Sequence, residues 1–153
     1  MKLADIQIEE LRRDITTLLQ IFKIENALGA MGASFDLNMT DLTVLVFVGE
    51  NKQAKMTDLA HILNTRLSTV TSIIDRLIKQ KLVLRKKSES DRRIIFVYLS
   101  AEGQRLHSGL VKEQFKNTVA MLSSLSPSDQ VMISKIVKKI AESARAQFAR
   151  LEP

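Results

Sequence analysis

The 153-residue sequence contains no cysteine and no tryptophan, and only two histidines. Without cysteine it can build no disulfide framework, no thiolate metal site and no thiol redox sensor. The same absence accords with a reducing compartment, and a cytoplasmic location is expected. Aromatic side chains are scarce, with six Phe and one Tyr. The longest strongly apolar run, "VLVFV" at Val44–Val48, is far short of the ~20 residues that span a bilayer, so no membrane partner is expected. Asp5, Glu9 and Glu10 follow Lys2 with no apolar stretch before them, so a secretory leader is not expected. The histidines, His61 and His107, fall on different predicted helices. No Ser or Cys nucleophile presents itself beside a base, and neither a His-x-x-x-His pair nor a cysteine cluster occurs, so neither an enzyme nor a metal or cofactor site is expected.

Basic charge is present, and it is concentrated. The chain carries 23 Lys and Arg against 17 Asp and Glu, a net charge of +6. From Arg76 to Arg93 there are eight bases (Arg76, Lys79, Lys81, Arg85, Lys86, Lys87, Arg92, Arg93) and only two acids, Glu89 and Asp91. This window of 18 residues holds the whole excess. So concentrated a positive field attracts a polyanion. The blander alternative is a solvated charged loop.

Apolar spacings of three and four at Ile8, Leu11, Ile15, Leu18, Leu19 and Phe22 predict a long first helix with one apolar stripe. Two glycines in "GAMGASFDLN" interrupt it. A second helix is predicted from an N-cap at Thr40 to near Gly49, and a short third from about Thr57 to Leu63. "NTR" follows, with Asn64 suited to a left-handed turn. The next helix, "LSTVTSIIDRLIKQ", places Leu67, Val70, Ile73, Ile74, Leu77 and Ile78 on an apolar face. Arg66, Ser68, Thr69, Ser72 and Arg76 lie opposite, with Thr71 at the border. "LVLRK" and "RIIFVYL" around polar "KSESD" read as a β-hairpin, with the irregular "IIFV" covered on both sides. Ser100 caps a long fifth helix, and "SLSPSD" opens a sixth with Ser126 as cap and Pro127 in its first position. The fold class is therefore mainly α with a small β-wing, a winged helix-turn-helix flanked by terminal helices.

A short helix, a tight turn and a second helix make a helix-turn-helix, and the hairpin after it adds a wing. The second helix of such a unit fits the major groove and reads base edges. Arg66, Ser68, Thr69, Thr71, Ser72 and Arg76 are the candidate reading residues. Arginine can bond guanine through two donors, and small hydroxyl side chains can meet bases or phosphates. In the wing, Arg85, Lys86, Lys87, Asp91, Arg92 and Arg93 are the candidates. The tip arginines suit a narrow A·T-rich minor groove, and the lysines suit phosphates.

"DRRIIFVYLSAEG", Asp91–Gly103, resembles the wing signature of MarR-family transcriptional regulators: an Asp-Arg-Arg group, an apolar strand, then Leu-Ser/Thr-x-x-Gly. "DLAHILNTRLSTVTSIIDRLIKQKLVLRK" resembles the helix-turn-helix of that family, in which Leu-Ala, Ser-x-Val-Thr and Asp-Arg-Leu recur. The detailed resemblance runs from about Leu37 to Gly103. It implies that Arg92 or Arg93 enters the minor groove and that Asp91 orients an arginine. Asn64 and Lys81 stand where the family commonly has glycine, Thr65 where it often has an apolar residue, and Ser72 where it often has a base.

A single reading helix covers few base pairs, whereas two spaced about 34 Å apart meet a palindrome. The terminal stripes exceed what one small winged domain can cover, so a homodimer on double-stranded DNA is expected, with residues 37–100 as the DNA-binding region and 1–36 and 101–153 as the dimerisation region. The resemblance also implies a repressor that answers a small aromatic or phenolic ligand, for which Phe22, Met31, Phe35 and Phe47 are the candidate pocket residues. The alternatives are a non-specific polyanion-binding or architectural protein using the basic hairpin, or a basic surface for anionic membrane or an acidic protein.

Overall fold

In the computed structural model, residues 5–21, 35–91 and 93–150 are described. Their elements are α1 (Asp5–Ile21), α2 (Met39–Asn51), β1 (Ala54–Lys55), α3 (Met56–Ile62), α4 (Leu67–Lys79), β2 (Val83–Lys87), β3 (Ile95–Leu99), α5 (Ala101–Leu122) and α6 (Pro127–Arg150). The chain falls into two compact units, Met1–Gln114 and Phe115–Pro153. This is the predicted mainly helical class with a small wing. The one strand that escaped prediction is β1, whose two residues carry no readable alternation.

α2 begins two residues earlier than its sequence predicts. Its cap is Asn38 and not Thr40: the Asn38 side chain accepts from the Asp41 N–H at 3.0 Å, and the Asp41 carboxylate accepts from the Asn38 N–H at 3.1 Å. That reciprocal pair satisfies two orphan donors at once, and leaves Thr40 inside the helix. α2 also runs past Gly49, to a left-handed Lys52 (φ 64°). Gly49 serves contact, not termination: a Cβ there would lie 2.3 Å from the His107 ring of α5.

Two matching turns shape the helix-turn-helix. After α3, the Thr65 N–H donates to the Ala60 carbonyl at 3.0 Å around a left-handed Asn64 (φ 45°). After α4, the Leu82 N–H donates to Leu77 at 2.9 Å around a left-handed Lys81 (φ 61°). Both close on the i to i−5 bond that ends helices at a left-handed residue. This accounts for the two positions where glycine was to be expected. A side chain in this conformation costs energy that glycine avoids. Lys81→Gly is therefore expected to stabilise the fold by about 0.5–1 kcal/mol, read as a raised denaturation midpoint.

The sheet order is β1-β3-β2, antiparallel throughout, with Ala54 opposite Val97 and Arg85 opposite Val97 on its other side. β3 is the central strand, and every residue in it is at least half-covered, as the irregular "IIFV" pattern implies. One core joins α2 (Leu42, Leu45, Val48), α4 (Val70, Ile74, Leu77), the sheet (Val83, Val97) and the first half of α5 (Leu106, Leu110). Ser100 caps α5 as predicted, accepting from the Gly103 N–H at 3.0 Å while donating to the Lys81 carbonyl. Ser126 caps α6, accepting from the Asp129 N–H at 3.3 Å.

Candidate nucleic-acid interface

α4 turns Val70, Ile73, Ile74 and Leu77 into the core, so its other face meets solvent by geometry alone. Arg66, Ser68, Thr69, Thr71 and Ser72 are all exposed there. The Arg66 carbonyl accepts the first helical N–H groups while its side chain makes no capping bond, leaving the guanidinium at the front of the helix. Thr71 Oγ1 and Ser72 Oγ donate back to the carbonyls of Leu67 and Ser68. Those hydroxyls keep their acceptor capacity for an incoming donor. Leu67, placed on the apolar face by its spacing, is instead about half exposed beside them.

Two further arginines, Arg76 and Arg85, have partners that sequence spacing does not reveal. Arg76 Nη2 donates to Asp41 Oδ1 at 2.5 Å, and the Asp41 side chain is 1% exposed against 43% for Arg76. Arg85 of β2 reaches α4, pairing with Asp75 at 2.8 Å and donating to the Thr71 carbonyl at 3.0 Å.

Beyond β2, backbone bonds continue among the described residues of the wing. The Ser88 N–H donates to Ile94 O and the Ile94 N–H to Asp91 O, both at 2.9 Å. Lys86 is exposed and pairs with exposed Glu89 at 3.1 Å, and Lys87 is exposed next to it. Asp91 accepts from the backbone N–H of Arg93 at 3.0 Å and from its guanidinium at 3.2 Å. These bonds, the side-chain one foremost, hold the Asp91 carboxyl below the usual aspartate range. A depressed folded value means the contact stabilises the loop above the unfolded value and is lost as pH falls through the folded one. An NMR titration is expected to show Asp91 ionising below an ordinary aspartate, and Arg93→Ala to raise that midpoint. Arg92 lies outside the described residues.

Between the front of α4 and the wing lies a cleft of about 320 Å³, lined in part by Lys55, Thr57, Leu67, Thr71, Arg93 and Ile94. Lys55 and Thr57 are on this surface only because β1 pairs with β3.

Of the candidate ligand residues, Phe22 and Met31 lie outside the described residues. Phe35 and Phe47 pack half-buried against the core. Phe47 also borders an open hollow of about 360 Å³ with Met39, Thr43, Val46, Glu50 and Ile62. The His107 Nε2 is buried with no hydrogen-bond partner, and His61 is exposed. Among the described residues no His, Cys, Asp or Glu side chains gather into a metal-sized group, and no helix is long and apolar enough to cross a membrane.

Three packed helices with an exposed polar face on the last, followed by a basic hairpin, define a winged helix-turn-helix protein. A sequence model of the MarR family matches residues 37–95. The chain is 30% identical over 95 residues to the HTH-type transcriptional regulator YpoP of Bacillus subtilis, spanning 61% of this chain and 67% of that one. It is 28% identical over 115 residues to the regulator YfiV of the same organism, spanning 73% and 72%. Its fold matches Streptococcus pneumoniae FabT, solved in complex with DNA, with a TM-score of 0.77 at 18% identity over 92% of this chain and 99% of that one. The chain belongs to the MarR family, whose members are winged helix-turn-helix transcriptional regulators.

Proposed function

We propose that the protein is a cytoplasmic homodimeric repressor that binds a pseudo-palindromic DNA operator and is released by a small aromatic or phenolic ligand. The observation that carries this reading is the exposed row Arg66, Ser68, Thr69, Thr71 and Ser72 on α4, set beside a wing that displays Lys86, Lys87 and Arg93. The row has the donors and acceptors that major-groove base edges need. The wing has the cations that phosphates and a narrow minor groove attract. In this reading Arg76 contributes from the far end of α4, Asp91 orients Arg93, and Arg92, its neighbour in sequence, is the other candidate for the minor groove.

Residues 37–100 act as the DNA-binding region, and 1–36 with 101–153 as the dimerisation region. The exposed apolar stripes support this division. α1 presents Ile8, Leu11, Ile15, Leu18 and Leu19, α5 presents Phe115 and Val119, and α6 presents Val131, Ile136, Val137 and Ile140. Exposed apolar stripes of this kind mark an interface, and a second copy covers them with the two-fold symmetry a palindrome demands. Repression needs only that the bound dimer exclude another protein from the same DNA. The ligand reading draws on the hollow beside Phe47, whose size suits a small organic molecule.

Binding measured by fluorescence anisotropy separates the roles. Arg66→Ala is expected to relax preference at one base position at a cost of about 1–3 kcal/mol. Equal loss on every sequence would count against direct readout. Lys86→Ala is expected to weaken binding to all duplexes alike and lower the salt slope by about one unit. An unmoved slope would remove Lys86 from the phosphate contacts.

A further inference from the structure

Arg85 stands apart from the other bases of the wing. It occupies the middle of β2, opposite Val97, on the same side of the sheet as core residue Val97 and away from exposed Leu84 and Lys86. Its side chain is 27% exposed, and its Nε is buried without a partner. One terminal nitrogen pairs with Asp75 at 2.8 Å, and the other donates to the Thr71 carbonyl at 3.0 Å. Thr71 and Asp75 are one helical turn apart on α4. The guanidinium therefore grips the reading helix at two points along its axis.

We propose, building on the DNA-binding function above, that Arg85 is a positioning residue: a strut that fixes the wing against the reading helix and so sets the spacing between the minor-groove and major-groove contacts. Three features carry this. A two-pronged planar contact fixes rotation as well as distance, which a lysine ammonium cannot do. Each terminal nitrogen commits a donor to α4, and a phosphate drawing the group outward would strain both bonds. The charge of Arg85 is balanced by Asp75, so the pair adds little to the release of counterions that drives non-specific DNA binding. Lys86 and Lys87 follow directly on the same strand, and the turn bearing Arg93 follows them. Tilting β2 would carry all of these cations away from the groove that α4 sets.

The strut predicts a division between affinity terms. Loss of Arg85 should leave the salt slope unchanged, since no phosphate contact is removed. It should instead erode discrimination between operators with A·T-rich and G·C-rich flanks by about tenfold, the worth of a lost sequence-dependent contact. Asp75→Ala should reproduce this, and the double variant should be no worse than either single one. Arg85→Lys should not restore the preference.

A DNA-free measurement reads the geometry itself. The chain has no cysteine, so Lys79→Cys and Ser90→Cys place spin labels only at the end of α4 and at the wing tip. Pulsed electron resonance on the full chain, diluted with unlabelled chain, reads the distance between them. A single narrow distribution is expected, broadened by Arg85→Ala and equally by Asp75→Ala, with far-ultraviolet circular dichroism and melting confirming that each variant folds. Unchanged distributions in both variants, or a salt slope that drops by about one unit in Arg85→Ala, would overturn the strut. If the unsubstituted chain bound no DNA, the functional reading would fail while the distance measurement still decided the strut.

Discussion

Gly103→Ala is expected to destabilise the protein by about 3 kcal/mol, although alanine in a helix is ordinarily worth up to about 1 kcal/mol more than glycine. Gly103 lies in the first turn of α5, three residues after its Ser100 cap. A Cβ at this position would sit 2.0 Å from the Leu82 carbonyl oxygen. That oxygen belongs to backbone and cannot swing aside, because it accepts the Ser100 N–H at 3.0 Å and its residue closes the turn after α4. The turn, the start of β2 and the cap of α5 would have to separate together. Denaturant unfolding checks this, and the sign alone is decisive: stabilisation by alanine would mean the close approach does not exist. Gly49→Ala faces a similar distance to the His107 ring, but a side chain can rotate away, so a smaller loss is expected there.

Asp41→Ala is expected to cost about 2 kcal/mol, from the lost cap and the broken ion pair together. Asp41 is buried, and it serves the N-terminus of α2 and Arg76 at the same time. Removing one partner of a fully buried pair costs more than this, but Arg76 is 43% exposed and water takes over part of its solvation. Thermal unfolding of Asp41→Ala, Arg76→Ala and the double variant gives the coupling. A value above about 0.5 kcal/mol is expected for groups in direct contact, and strict additivity would mean the pair contributes nothing. Because the pair ties α2 to the C-terminal part of α4, Asp41→Ala, which removes no DNA-facing group, is expected to weaken DNA binding through the placement of the reading helix.

Local patterns made the reading helix and the wing legible in the sequence. The three-and-four spacing of Val70, Ile73, Ile74 and Leu77 exposes Ser68, Thr69 and Ser72 by elimination, and β-branched runs around a polar tip mark the hairpin. Ser100 reads as a helix cap from the sequence, whereas Gly103 stands out only through a family resemblance; the fold gives the cause of both, a hydroxyl that bridges the Lys81 carbonyl and the Gly103 N–H, and a glycine that lets a carbonyl pass. What stayed hidden is tertiary. Nothing in spacing pairs Arg76 with Asp41, or Arg85 with Asp75, since both contacts form only when distant elements pack. Thr40 looked like a cap because it is a good one in isolation, but Asn38 wins with the help of Asp41. Gly49 looked like a helix stop because its real reason, the ring of His107, comes from another helix. β1 is too short to show a period and exists because β3 offers it an edge.

The central claim, sequence-specific recognition by a symmetric pair of winged domains, is tested most directly by selection from a random duplex library at near-physiological salt. The account predicts an enriched inverted repeat with half-sites about one helical turn apart. Salt-sensitive binding with no enriched sequence would contradict it and leave a non-specific polyanion binder.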